Sequence, residues 1–192
     1  MKTIGSGTYG KIFFATNKDD PSIKVAIKVI DKKKLDDQEL EILNNEVKMM
    51  QSIDQPNIVK YYETYNDKEF LYIVMEMCKG GEFIDSIVQN SHKQNEKYVS
   101  QQFYKLFVAL EHCHAQGIIH RDIKPENIMF SDNDEIKLID FGVAVQRDKN
   151  DHSQMTPNGT PCFIAPEVLT NKYGKQCDIW SLGVSLYYIL AG

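Results

Sequence analysis

Around the glycine pair Gly80 and Gly81, the spacing of apolar residues switches from alternation to the helical period of about 3.6. That switch divides the 192-residue chain into a strand-rich amino-terminal half and a helix-rich carboxy-terminal half joined by a hinge. Before it, KIFFATN, the polar turn KDDPS and IKVAIKVI read as strand, turn, strand, with apolar and lysine positions alternating from Lys24 to Ile30. NIVKYYETY and FLYIVMEM, joined by NDKE, read as two more strands. One helix interrupts them, because Leu40, Leu43, Val47 and Met50 recur at steps of three and four. Glu46 shares that apolar side, and a carboxylate at the edge of a buried face needs a partner.

After the hinge, Val99, Phe103, Leu106, Leu110 and Cys113 mark a helix, with Gly117 placed as its stop. IMF, the turn SDND and IKLID follow as a hairpin that delivers two charged clusters, with Asp122 and Asp140 eighteen residues apart. Residues 143–160 are polar and aperiodic, hold Asp148, Asp151, Ser153 and Thr156, and read as a long exposed loop of the functional kind. The uncharged run of 12 residues at 181–192 is too short to span a bilayer and reads as a buried core helix.

The charge balance excludes a sequence-independent grip on nucleic acid, since the net charge is −5. Four cysteines, Cys78, Cys113, Cys162 and Cys177, form no C-x-x-C pair and follow no signal peptide. Reduced thiols and a cytoplasmic location, with the nucleus as the other option, are the expectation. His112 and His114 are two apart on a helix and point to different faces, which argues against a metal site there.

GSGTYG, at residues 5–10, fits G-x-G-x-x-G, a pattern shared by dinucleotide-binding turns and by hairpin lids over a nucleotide triphosphate. A dinucleotide turn must open a helix within a βαβ unit, whereas the residues after Gly10 are strand-like. The hairpin lid is favoured, and an NAD-dependent oxidoreductase fails on that context. Four further motifs come in order: VAIK at residues 25–28, HRDIKPEN at 120–127, DFG at 140–142 and APE at 165–167. Together the five motifs resemble the eukaryotic protein kinase family over essentially the whole chain.

That resemblance implies an α+β, bilobal fold with a small antiparallel sheet plus helix C as N-lobe and a mainly helical C-lobe. The catalytic domain would cover residues 1–192 in part: N-lobe about 1–77, hinge about 76–81, C-lobe about 82–192, with its last helices missing. It further implies an ATP-dependent serine/threonine kinase using Mg²⁺ and protein substrates, the alternative being a pseudokinase or nucleotide-binding scaffold without turnover. Gly5, Gly7 and Gly10, with Ile4, Ser6, Thr8 and Tyr9, would close over the phosphates. Lys28 would meet the α and β phosphates and pair with Glu46, which resembles the helix-C glutamate.

Asp122 resembles the catalytic base, Asp140 and Asn127 the magnesium ligands, and Lys124 and Thr160 the pair that marks serine/threonine enzymes. Met75 would guard the back of the adenine pocket, the backbone of Glu76 and Cys78 would bond the adenine edge, and Ile12, Ala26 and Met129 would sandwich the ring. Glu82, which in such enzymes meets the ribose and a substrate arginine, together with Glu126 implies a basic motif upstream of the acceptor. Asp178 resembles the anchor of the catalytic loop, and Met50, Tyr61, His120 and Phe141 a packed column. Tyr61 departs there from the family's usual aliphatic residue.

Arg121 resembles arginines that grip a loop phosphate, with Ser153 or Thr156 as acceptors or Asp148 and Asp151 standing in for the phosphate. CKGGEFIDSIV, GTPCFIAPEVL and YGKQCDIWSLGV are most similar to the calcium/calmodulin-dependent group, particularly calcium-dependent protein kinases. A regulatory segment or calcium sensor outside this chain is therefore a possible partner. The family's catalytic domain continues past YYILAG and supplies an arginine for Glu167. The chain alone is accordingly expected to be poorly stable or inactive.

Overall fold

The computed structural model describes residues 2–7, 10–89, 95–147 and 155–191. Its amino-terminal part is a five-stranded antiparallel sheet built from β1 (Lys2–Gly7), β2 (Gly10–Thr16), β3 (Lys24–Asp31), β4 (Tyr61–Asn66) and β5 (Phe70–Glu76), in the order β1-β2-β3-β5-β4. The β2–β3 and β3–β5 registers place Ile12 opposite Lys28 and Ala26 opposite Met75. Gly10 is demanded by this pairing as well as by any lid function, because a Cβ there would lie 2.2 Å from the Val29 carbonyl oxygen.

Helix α1 (Asp37–Ser52) begins at a reciprocal cap: the Asp36 carboxylate accepts from the Glu39 N–H at 2.8 Å, while the Glu39 carboxylate accepts from the Asp36 N–H at 3.0 Å. Its buried stripe of Leu43 and Val47 packs on Ile30, Leu71 and Ile73 of the sheet. The periodicity that predicts the helix thus also aims it, and Glu46 goes inward with the stripe.

Beyond the hinge come β6 (Gly81–Glu82), α2 (Phe83–Gln89), α3 (Glu96–Ala115), β7 (Ile118–Ile119), β8 (Ile128–Phe130), β9 (Ile136–Leu138), β10 (Val145–Gln146) and α4 (Gln176–Ala191). Val99, Phe103, Leu106 and Leu110 of α3 share a core with Phe83, Ile123, Ile128, Phe130 and Leu182. Short 3-10 turns at Pro125–Asn127, Pro161–Phe163 and Pro166–Thr170 each start on a proline, whose fixed φ suits a first helical position.

Two expectations need correction. The polar stretch 143–160 is not all loop: Val145 and Gln146 pair as a strand with Ile119 and Ile118, because the buried Ile119 offers Val145 an apolar neighbour. Helix α4 buries only one face, through Cys177, Asp178, Ser181, Leu182, Ser185 and Ile189. Trp180, Tyr187, Tyr188 and Leu190 are exposed, since its packing among the described residues is against α3 and the Pro161–Phe163 turn. No helix among the described residues is long and apolar enough to cross a membrane.

Candidate active site

The segment between β7 and β8 is strung on one buried carboxylate. Asp178, in the first turn of α4 and fully buried, accepts from the backbone N–H of His120 at 2.9 Å and of Arg121 at 2.8 Å, and bonds His114 Nε2 at 2.8 Å. These contacts hold Arg121 at a φ of 69°, a left-handed conformation that an arginine does not adopt unaided. The next residue, Asp122, is thereby turned toward Lys124 and Thr160.

Asp122 Oδ2 lies 2.9 Å from Lys124 Nζ, and its Oδ1 accepts from Thr160 Oγ1 at 2.7 Å. Lys124 Nζ also donates to Thr160 Oγ1 at 2.9 Å, closing a three-membered ring of polar side chains. Burial pushes the Asp122 carboxyl up, but the Lys124 and Thr160 hydrogen bonds and the Lys124 and His120 charges outweigh it and hold the group below the usual aspartate value. It is ionised at neutral pH. Asn127 Nδ2 donates to the Asp122 backbone carbonyl at 2.9 Å, which commits the amide's donor end to the loop and leaves its oxygen as a candidate ligand.

The Ile139 N–H donates to the Asn127 carbonyl at 3.0 Å, so the segment ending in Asp140 runs beside that turn. Asp140 has φ 62° and accepts from the Gly142 N–H at 3.2 Å. Across from it, Lys28 Nζ meets Glu46 Oε1 at 2.7 Å, with both side chains at most 5% exposed. A methyl group placed on Gly142 would lie 3.7 Å from Lys28 Nζ and 3.9 Å from Glu46 Oε2, which brings the DFG turn against this ion pair. Phe141 stacks edge-on with His120 at 4.8 Å between ring centroids and shares a core with Met50 and the partly buried Tyr61. The hydroxyl that Tyr61 brings to this column donates to Thr64 Oγ1 at 2.8 Å and accepts from Gln51 Nε2 at 3.1 Å.

Met75, Cys78 and Met129 lie in one apolar cluster, with Ala26 beside Met75 on the neighbouring strand. Ile12 sits one strand further out, and Ile4, Gly5, Ser6 and Gly7 run along β1 at the sheet edge. Thr8 and Tyr9 lie outside the described residues, as do Asp148, Asp151 and Ser153. The Cys78 thiol is pushed up to about 12, by burial first and then by the Glu76 charge, so it stays protonated. Glu82 of β6, Asp85 of α2 and Glu126 of the Pro125–Asn127 turn stand on elements that pack together, and Glu82 is raised above the usual glutamate value by burial, then by the charges of Asp85 and Glu126.

Arg121 has two partners: its Nε donates to the Val143 carbonyl at 2.6 Å and its Nη1 to the Tyr173 hydroxyl at 3.3 Å, while that hydroxyl donates to the Thr156 carbonyl at 2.8 Å. Tyr173 and Asp85 carry no mark in the sequence that singles them out, and His114 is read there only against a metal role. Lys137 does carry one, a charge in an otherwise apolar strand, and that contrast is the signal that could have found it.

Asn127 and Asp140 offer two hard oxygen donors, and no group of three or more His, Cys, Asp or Glu side chains among the described residues forms a metal cage. Such a donor pair fits magnesium that takes its other ligands from phosphates and water. The protein kinase domain family model matches residues 1–192, and the chain belongs to that family. It is 46% identical over 193 residues to calcium-dependent protein kinase 5 of Plasmodium berghei (strain Anka), covering 98% of this chain and 33% of that protein.

Calcium/calmodulin-dependent protein kinase type 1 of Macrobrachium nipponense is 41% identical over 193 residues, covering 98% of this chain and 55% of that protein. CBL-interacting serine/threonine-protein kinase 2 of Arabidopsis thaliana is 38% identical over 196 residues, covering 100% and 42%. The chain spans between about a third and about a half of the length of these relatives. The similarity to calcium-dependent and calmodulin-dependent kinases agrees with the subfamily resemblance drawn from residues 78–88, 159–169 and 173–184.

Proposed function

We propose that the protein is a serine/threonine kinase that transfers the γ-phosphoryl group of ATP to hydroxyls of protein substrates. The observation that carries this is the closed ring of Asp122, Lys124 and Thr160, together with the Lys28–Glu46 pair packed against the turn after Asp140. Asp122 orients the incoming serine or threonine hydroxyl and takes its proton as oxygen bonds to the γ-phosphorus and the bond to the β-phosphate bridging oxygen breaks, releasing ADP. A carboxylate held below its ordinary value is a weak base. That suffices where the transition state is loose and needs position more than proton abstraction.

Lys124 Nζ, already within reach of Asp122 and Thr160, steadies the moving phosphoryl group, and Lys28 holds the α and β phosphates. Asn127 and Asp140 hold magnesium, which supplies neutralisation of the phosphate charge. The adenine lies between Ile12, Ala26 and Met129, with Met75 behind it and the backbone of Glu76 and Cys78 at its edge, under a lid formed by residues 4–10.

Glu82, Asp85 and Glu126 form a locally acidic surface and support selection of substrates with arginine before the acceptor. The names of the relatives support calcium-linked control of the full-length protein, and a cytoplasmic location, with access to the nucleus, completes the proposal. The test is radiolabelled phosphate transfer by the full-length protein against its Asp122→Asn variant, on peptides with and without upstream arginine. Equal activity of the two proteins defeats the mechanism, and indifference to arginine removes the substrate preference.

A further inference from the structure

Strand β9 ties three parts of the site together. Leu138 accepts from the Val59 N–H at 3.0 Å and donates to the Asn57 carbonyl at 2.8 Å, while Asn57 Nδ2 donates to the Ile136 carbonyl at 2.9 Å. Two residues past the strand stands Asp140. Between the fully packed Ile136 and Leu138 sits Lys137, whose side chain is 7% exposed and whose Nζ lies 2.9 Å from Glu76 Oε2. Glu135 Oε2 is a more distant neighbour at 3.8 Å.

Glu76 is the last residue of β5, where the chain leaves the sheet for the hinge. Its Oε2 also accepts from the Lys60 N–H at 3.1 Å, and its own N–H donates to the Lys60 carbonyl at 2.8 Å. The far end of the hinge is pinned to the same hairpin, since the Gly80 N–H donates to the Phe130 carbonyl at 3.0 Å. A Cβ on Gly80 would sit 2.4 Å from Phe130 Cβ, so that end admits no side chain. A second ion pair, Lys79 to Asp132 at 3.1 Å, is partly exposed and weakly fixing. Lys137 and Glu76, whose side chains are 7% and 18% exposed, form the more enclosed of the two pairs.

We propose that Lys137 is a positioning residue for the nucleotide site: its ion pair with Glu76 fixes the hinge backbone against the strand that delivers Asp140. It thereby sets the distance between the adenine edge and the phosphate-holding carboxylate. Burying a lysine in a strand that would pack as well with a third aliphatic residue is costly, and an ion pair with one partner buried is better explained by the geometry it specifies than by stability. This inference rests on the kinase reading of the site.

The experiment uses the full-length protein and its Lys137→Met, Lys137→Arg, Glu76→Gln and Lys137→Met/Glu76→Gln variants. It reads dissociation of a fluorescent ATP analogue by stopped flow, and KM for ATP and kcat separately. Lys137→Met is expected to raise the analogue off-rate and the KM for ATP about tenfold while kcat changes less than about threefold. Lys137→Arg should retain most of the wild-type affinity, and the double variant should be no worse than Lys137→Met alone.

An unchanged off-rate and KM in Lys137→Met overturns the proposal, as does loss of kcat at constant KM or a further full penalty in the double variant. If Lys137→Met does not fold, Glu76→Gln, which keeps shape and removes the charge, must show the same KM shift; an unchanged KM there overturns it too. A wild-type protein that binds the analogue without transferring phosphate sinks the kinase reading alone, because the off-rates still decide the role of Lys137.

Discussion

Replacing Asp178 with Asn removes one negative charge and turns one of two acceptor oxygens into a donor, at a fully buried site. With the amide oxygen kept toward His120 N–H and His114, both bonded to Oδ2, the new NH₂ faces the Arg121 N–H that Oδ1 now accepts from at 2.8 Å. A buried donor left unsatisfied costs about 1–3 kcal/mol, and the two remaining bonds lose their charge assistance, so a total of about 3 kcal/mol is expected. That is a large fraction of the roughly 5–15 kcal/mol that holds a domain folded.

The loss has a catalytic signature too, because the freed peptide is the one keeping Arg121 at φ 69°, and Asp122 follows it directly. Displacement of a reacting group by an ångström costs on the order of a hundredfold in rate. Asp178→Asn in the full-length protein should therefore lower the denaturant midpoint and reduce kcat by tenfold or more, with KM for ATP nearly unchanged since Lys28 and the hinge are untouched. A variant with wild-type kcat and an unfolding free energy within about 0.5 kcal/mol of the parent would refute the view that Asp178 positions the catalytic segment.

Lys28→Met should destabilise the protein by about 3–5 kcal/mol by leaving the Glu46 carboxylate buried and unpaired, and a Lys28→Met/Glu46→Leu pair should recover much of it in denaturant unfolding. Gly10→Ala should cost about 1–3 kcal/mol from its clash with the Val29 carbonyl, whereas Gly5→Ala, whose nearest neighbour would be Ile12 Cδ1 at 3.8 Å, should leave the melting temperature unchanged. The Asp122 carboxyl, held below its ordinary value, contributes stability above the unfolded aspartate value that disappears as pH falls through the lower folded one. Its acid limb in kcat/KM should lie below the ordinary aspartate range and move upward in Thr160→Val; an unmoved limb would show that the Thr160 bond does not tune the group.

Much of the local structure is legible in the sequence because its causes are local. The helical stripe Leu43, Val47 and Met50 is the buried face of α1, and the apolar positions from Val99 to Cys113 are that of α3. Even the need of Glu46 for a partner can be read, since its place on an apolar face follows from helix geometry alone. Helix α4 departs from its sequence reading because an uncharged run does not distinguish one buried face from two: Tyr187 is 73% exposed while Ser185, a polar residue, is fully buried.

By itself the sequence determined the main strands of the amino-terminal half, helices α1 and α3, the motifs and the residue types available for phosphoryl transfer, all set by spacing within a few positions. The family resemblance named the partners, and only the tertiary structure supplies the geometry of their meeting: Lys28 with Glu46 across 18 positions, Thr160 with Asp122 across 38, and His120 with Asp178 across 58. The pairing of Lys137 with Glu76, and of Arg121 with Tyr173, belongs to the same class. Such contacts depend on where whole elements pack, and packing follows from the summed burial of distant side chains, which no local period encodes.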